Sequence, residues 1–114
     1  MFVGFDRPVA APPALNRVDA GDSVVLRWRL LRENGRPVTT LRSVAGLAFT
    51  PVSCSTGTPT GATAALAVPR LSNRGSGRYE VSWRSSRSLR RTCGRLTLDV
   101  GLGIRRETLF RFGS

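Results

Sequence analysis

The chain has 114 residues, 40% of them hydrophobic, which suits one domain with a single core. Its 18 basic residues, all Arg, stand against 7 acidic ones, for a formal net charge of +11. It has no His, no Cys-x-x-Cys spacing and no apolar run near the ~20 residues of a membrane helix, which argues against a zinc site and against a helical membrane span.

A GC-rich coding sequence explains Arg in place of Lys, but not the excess of bases over acids. That excess attracts polyanions: nucleic acid, acidic glycans, anionic cell-wall polymers or lipid headgroups. The competing reading is a basic domain within a larger, more neutral protein. The opening MFVGFDRP lacks the basic n-region and long apolar h-region of a signal peptide. Residues 1–114 are therefore expected to be a single domain, and an exported protein would carry its signal upstream, in a larger secreted chain.

In chain order, residues 2–5 form a short apolar segment fit for an edge strand. Residues 7–15 hold Pro8, Pro12 and Pro13, so an extended connector is expected there. Residues 16–20 add a short strand, and Gly21 and Asp22 mark a turn. Residues 23–32 alternate clearly. Val24, Leu26, Trp28 and Leu30 share one face, and Val25, Arg27, Arg29 and Leu31 share the other. Trp28 reads as core, because its neighbours on that face are aliphatic. Asn34-Gly35 is a strong turn signal, with residues 38–44 as the partner strand of a hairpin. Residues 46–54 form another strand, and Pro51 within it points to an edge or an end.

Residues 55–63, STGTPTGAT, are small and polar and read as a loop. Residues 64–71 are ambiguous between strand and helix, with Pro69 cutting the segment short. SNRGSG at 72–77 reads as a turn. Residues 78–100 then carry two alternating strands, one with Tyr79, Val81 and Trp83 inward and one with Leu96, Leu98 and Val100 inward. The two apolar sets are expected to form one wall of the core. Gly101 and Gly103 bracket Leu102 as a hairpin turn. The last strand, 104–112, sets Thr108, Phe110 and Phe112 on one face and Leu109 and Arg111 on the other. Short strands separated by Gly, Pro and Asn turns predict an all-β sandwich.

Cys54 and Cys93 are the chain's two cysteines. An even count in a small β-rich chain points to one disulfide and an oxidising compartment, against the alternative of two unpaired buried thiols. The bond would tie the end of one strand to the start of another.

One ordered set of residues resembles a known family. It runs Phe2-Val3-Gly4-Phe5, Pro8-Val9, Pro12-Pro13, Leu15-Asn16, Ala20-Gly21, Leu26-Arg27-Trp28 with Leu30, and Cys54. It continues with Gly77, Tyr79 and Trp83, Thr92-Cys93 with Leu96 and Leu98, and Phe110 with Phe112. In this order the motifs resemble the PxKF domains of bacterial secreted and surface proteins, and the match spans nearly the whole chain. The departures are Val25, Arg27 and Trp28 at the naming Pro, Lys and Phe, Leu89 at a connector aromatic, and Arg91 and Gly94 around Cys93. The resemblance implies an immunoglobulin-like accessory domain outside the cell, with no established catalytic activity or ligand.

The residues offer little chemistry of their own. The seven acids, Asp6, Asp19, Asp22, Glu33, Glu80, Asp99 and Glu107, are scattered among arginines. Asp19 and Asp22 fall short of the six to eight oxygens that calcium usually takes and read better as a turn pair. Glu80 and Asp99, on outward positions taken as neighbouring strands, would pair with Arg78, Arg84 or Arg95. Ser85, Ser86 and Ser88 have no base beside them and read as solvated connector residues. Gly101-Leu102-Gly103 lacks the third glycine and following helix of a phosphate loop. Arg84, Arg87, Arg90, Arg91 and Arg95 remain as a candidate anion-binding set, since guanidinium forks suit phosphate and carboxylate. Aromatics fall at inward positions, which argues against specific nucleic-acid recognition.

The expectation is an immunoglobulin-like β-sandwich of antiparallel strands with one disulfide, Cys54 to Cys93. Its expected role is that of a non-catalytic extracellular or cell-surface module for spacing, assembly or adhesion, without metal or cofactor. Its expected partners are neighbouring domains of the parent chain or a cell-surface protein. The alternative is a polyanion-binding module that anchors its parent to acidic cell-wall polymer or glycan.

Overall fold

The structure is a computed structural model, and it describes all residues except 1, 6–8, 10–14, 68–69, 102 and 114. The expected proline-rich connector at Pro8, Pro12 and Pro13, the break at Pro69 and the turn tip at Leu102 lie outside the described residues, as does Asp6. Nine strands are described: Phe2–Phe5 (β1), Leu15–Asp19 (β2), Ser23–Leu30 (β3), Gly46–Val52 (β4), Ala64–Ala65 (β5), Ser72–Gly75 (β6), Arg78–Arg84 (β7), Cys93–Gly101 (β8) and Ile104–Gly113 (β9). They form a four-stranded sheet in the order β1-β3-β7-β6 and a five-stranded sheet in the order β2-β9-β8-β4-β5. The described pairings are antiparallel except β2 with β9, which run parallel from Leu15 opposite Leu109 to Asp19 opposite Gly113.

The two sheets face each other across one core, as the alternation requires. Val24, Leu26, Trp28 and Leu30 from β3 and Tyr79 and Val81 from β7 meet Leu96, Leu98, Val100, Phe110 and Phe112 from β8 and β9. Trp28 is wholly buried, with its ring stacked between Phe2 and Tyr79 at centroid distances of 6.2 and 6.1 Å. Trp83 is only half-buried. Its ring closes one end of the core against Phe49 and Phe112, at 5.6 and 6.2 Å. Tyr79 brings its hydroxyl into the core with two partners: it donates to the Val38 carbonyl at 2.6 Å and accepts from the Leu41 amide at 3.2 Å.

Four local expectations are corrected. Residues 78–100 do not build one wall: β7 lies in the four-stranded sheet and β8 in the five-stranded sheet. Both hydrogen-bonding edges of β7 are occupied, by β3 and β6, so β8 has no place beside it and the connector crosses between layers. Residues 38–44 do not form a strand. The Asn34-Gly35 turn closes, with Gly35 at φ +81° and the Arg32 amide bonded to Arg36, but pairing stops at the Leu31–Pro37 bridge. The edges of β3 are already taken by β1 and β7, so the chain leaves the sheet. Residues 72–77 are not a turn alone, since Ser72–Gly75 form β6 before the turn at Ser76 and Gly77. That strand is exposed throughout, so it has no apolar alternation to reveal it. Glu80 and Asp99 lie in different sheets; Glu80 pairs with Arg27 and Asp99 with Arg105.

The disulfide is present, with the Cα atoms of Cys54 and Cys93 5.2 Å apart. It joins the turn that follows β4 to the first residue of β8, whose Cys93 stands opposite Val52 at the end of β4. Alternation along β8 puts Gly94, Leu96, Leu98 and Val100 inward, so Cys93 lies on the outward side of its sheet. Residues 53–60 form the turn that carries Cys54, with the Ser53 amide bonded to the Thr58 carbonyl and the Thr60 amide to the Pro51 carbonyl.

Candidate anion-binding surface

The connector between the sheets is a tied segment. Ser85 follows β7 and is buried. Its hydroxyl donates to the Asp22 carbonyl at 2.7 Å and accepts from the Gly21 amide at 3.0 Å, and its own amide donates to Asp22. Ser85 is therefore a structural clasp on the β2–β3 turn, not a solvated connector residue. Ser86 caps the single 3-10 turn Arg87–Leu89 by accepting from the Ser88 amide. Leu89 packs on the core edge. The Arg91 amide donates to the Phe112 carbonyl at 2.8 Å, and the Phe112 amide returns a bond to Thr92 at 2.9 Å. Arg91 adopts a positive φ of 63°, which turns the chain into β8.

This anchoring displays Arg84, Arg87, Arg90 and Arg91 at one end of the sandwich, all exposed. The stem of Arg87 lies over Gly21, where an added Cβ would stand 2.8 Å from Arg87 Cγ. Among the described residues, none of these four guanidinium groups has a carboxylate within ion-pair distance. Arg95 does not belong with them. It sits on the outward face of β8, 3.8 Å from Glu107 of β9, so the structure separates it from the set and pairs it.

The pairing of strands also assembles arginines that are far apart in sequence. On the outward face of the four-stranded sheet, Arg29 stands opposite Arg78 and Arg27 opposite Glu80. On the outward face of the five-stranded sheet, Arg17 stands beside Arg111. That second face also carries Arg95, Arg105, Asp19, Asp99 and Glu107, so its charges largely balance. The strand phases gave the outward direction of each arginine, but nothing in the sequence paired the strands.

Two open clefts lie on the five-stranded sheet. One, of about 580 Å³, is lined by Arg17, Asp19, Asp22, Ser23 and Arg111. Asp19 and Asp22 close a turn there, with the Asp22 amide bonded to the Asp19 carbonyl at 3.0 Å. The other, of about 440 Å³, runs over Ala48 and Thr97 between the Arg95–Glu107 pair and the Arg105–Asp99 pair, the latter at 3.2 Å. The Gly101 amide holds the Asp99 carboxyl below its ordinary value; burial opposes it next in size, and Arg105 adds to the lowering. Among the described residues, no three His, Cys, Asp or Glu side chains gather into a metal site, and no helix is long and apolar enough to cross a membrane.

No protein-family model matches the chain, and no curated protein is similar to it in sequence.

Proposed function

We propose that the chain is an immunoglobulin-like accessory domain of a bacterial secreted or surface protein, related to the PxKF domains, with a non-catalytic role in spacing, assembly or adhesion. The observation that carries this reading is the strand order. With β1 and β2 as the split first strand, the sheets read A-B-E-D and A′-G-F-C-C′, an arrangement close to that of immunoglobulin sandwiches. The disulfide supports an oxidising compartment. The family assignment rests on the ordered motifs alone. Fractionation of the source cells, with peptide mapping of the Cys54–Cys93 bond, tests the reading. Bonded protein in the secreted or surface fraction is the expected result, and reduced protein confined to the cytosol would overturn it. A hydrolytic activity that survives repurification would overturn the non-catalytic part.

The exposed Arg84, Arg87, Arg90 and Arg91, without carboxylate partners, favour a second reading, in which the domain attaches its parent to an acidic cell-wall polymer or glycan. Replacing Arg87, Arg90 and Arg91 together with Ser should lower the salt at which the protein elutes from an anionic polymer column. Elution at the parental salt would remove the connector from the site.

A further inference from the structure

The four-stranded sheet holds a like-charge pair that the fold does not neutralise. Arg29 and Arg78 stand directly opposite on β3 and β7, strands about 4.8 Å apart, and like charges so placed are destabilising. Among the described residues, Arg29 Nε has only the Ser76 carbonyl, at 3.4 Å. The Arg78 guanidinium has no ion-pair partner among the described residues. The face's carboxylate, Glu80 on the next rung, is already engaged by Arg27 at 2.6 Å. Beyond it lie the small side chains of Val25 and Ser82, and then Arg84, opposite Ser23. From Arg78 to Arg84 the face runs six residues along β7, about 20 Å at ~3.4 Å per residue, and ends where the arginine-bearing connector begins. Both strands are interior to their sheet, so the face has a floor on either side.

We infer that the outward face of β3 and β7, from Arg29 and Arg78 to Arg84, is a binding track for a linear polymer bearing an oxyanion on each monomer. This rests on the polymer-attachment reading above and adds the path the polymer takes. Outward side chains recur about every 7 Å along a strand, so an extended polymer meets one rung after another. Guanidinium forks at the two ends take phosphate or carboxylate equally well. None of the outward side chains of β3 or β7 is aromatic, so the face offers no platform for stacking bases, and a nucleic acid is not the ligand it fits.

The test measures binding of linear polyphosphate, polygalacturonate and oligo-dT to the whole chain between 50 and 200 mM salt. With the guanidiniums of Arg29, Arg78 and Arg84 engaged, each without an ion pair among the described residues, wild-type affinity for the preferred polymer should fall about 20-fold over that range. R29Q/R78Q should bind at least tenfold more weakly at low salt, and its affinity should fall only about threefold over the same range. R29K/R78K, which keeps the charge, should keep the wild-type salt response, and near-UV circular dichroism should show both variants folded. Binding of either polymer that R29Q/R78Q weakens supports the track, and the preferred polymer identifies the oxyanion. Wild-type binding by R29Q/R78Q, with loss only on replacing Arg87, Arg90 and Arg91, would overturn the track and leave the attachment reading standing. A loss of salt response in the folded Lys variant, or tighter binding of oligo-dT than of both polymers, would also overturn it. No binding of any polymer by the wild type at 50 mM salt would overturn both readings.

Discussion

Gly94 lies beneath the ring of Phe49, and Gly94→Ala puts that contact to the test. The backbone there has no positive φ, so Ala meets no conformational objection. On backbone grounds alone the change should stabilise, by roughly 0.4–1 kcal/mol, by restricting the unfolded chain. The core opposes it. A Cβ on Gly94 would stand 2.1 Å from Phe49 Cε2 and 2.2 Å from Cζ, where carbon contacts ordinarily settle near 3.5–4.0 Å. The ring must therefore move by more than an ångström. It is held by Trp83 at 5.6 Å and Phe112 at 6.0 Å, so those rings must shift as well. Overpacking of this kind costs about 1–3 kcal/mol and outweighs the backbone gain. A contact this short puts the cost toward the upper end, and less the backbone gain about 2 kcal/mol remains. At about 4 °C per kcal/mol for a domain of this size, Tm should then fall by about 8 °C. Urea denaturation followed by tryptophan fluorescence measures the loss directly. A double-mutant cycle with Phe49→Leu should show a coupling of about 1 kcal/mol or more, because the smaller side chain makes room for the methyl. A neutral or stabilising Gly94→Ala, or additivity within ~0.5 kcal/mol, would refute the packing.

Three further outcomes are expected. Tyr79→Phe leaves the Val38 carbonyl and Leu41 amide without their shared partner; it should cost about 1–3 kcal/mol and speed amide exchange at Leu41, and unchanged exchange there would count against the Tyr79 hydroxyl bonds. Removing the disulfide by Cys54→Ser with Cys93→Ser should cost up to about 4 kcal/mol from loop closure across a separation of 39 residues, read as a lower urea midpoint; an unshifted midpoint would show that the bond does not constrain the unfolded chain. Asp99 has a folded pKa below its unfolded value, so its contribution is full above the ordinary carboxylate pKa and is lost as pH falls through the lowered one. Asp99→Asn should therefore flatten the acid limb of the stability profile below about pH 4, and identical acid limbs for variant and parent would contradict the Gly101 and Arg105 contacts.

Much of the sandwich was legible along each strand. Val24, Leu26, Trp28 and Leu30 alternate with Ser23, Val25, Arg27 and Arg29, mostly polar or charged, because one sheet face is buried and the other is wet, and that period survives in the sequence. The even cysteine count, the Asn34-Gly35 turn and the end of β4 just after Pro51 were readable for equally local reasons. The exposed strand β6 and the missing strand at 38–44 were not, because the first buries nothing and the second depends on whether β3 still has a free edge.

For the candidate site, Arg84, Arg87, Arg90 and Arg91 could be read as solvated and close together from their places on a short polar connector, which cannot bury them. Strand pairing and the packing of the two sheets set the rest. They sent Arg95 to the other sheet and paired it with Glu107, turned Ser85 into a clasp, and brought Arg29 to stand opposite Arg78, 49 residues further on. Alternation specifies which way a side chain faces. Which strands lie side by side is settled only when the edges of each are occupied and the two layers close on their core.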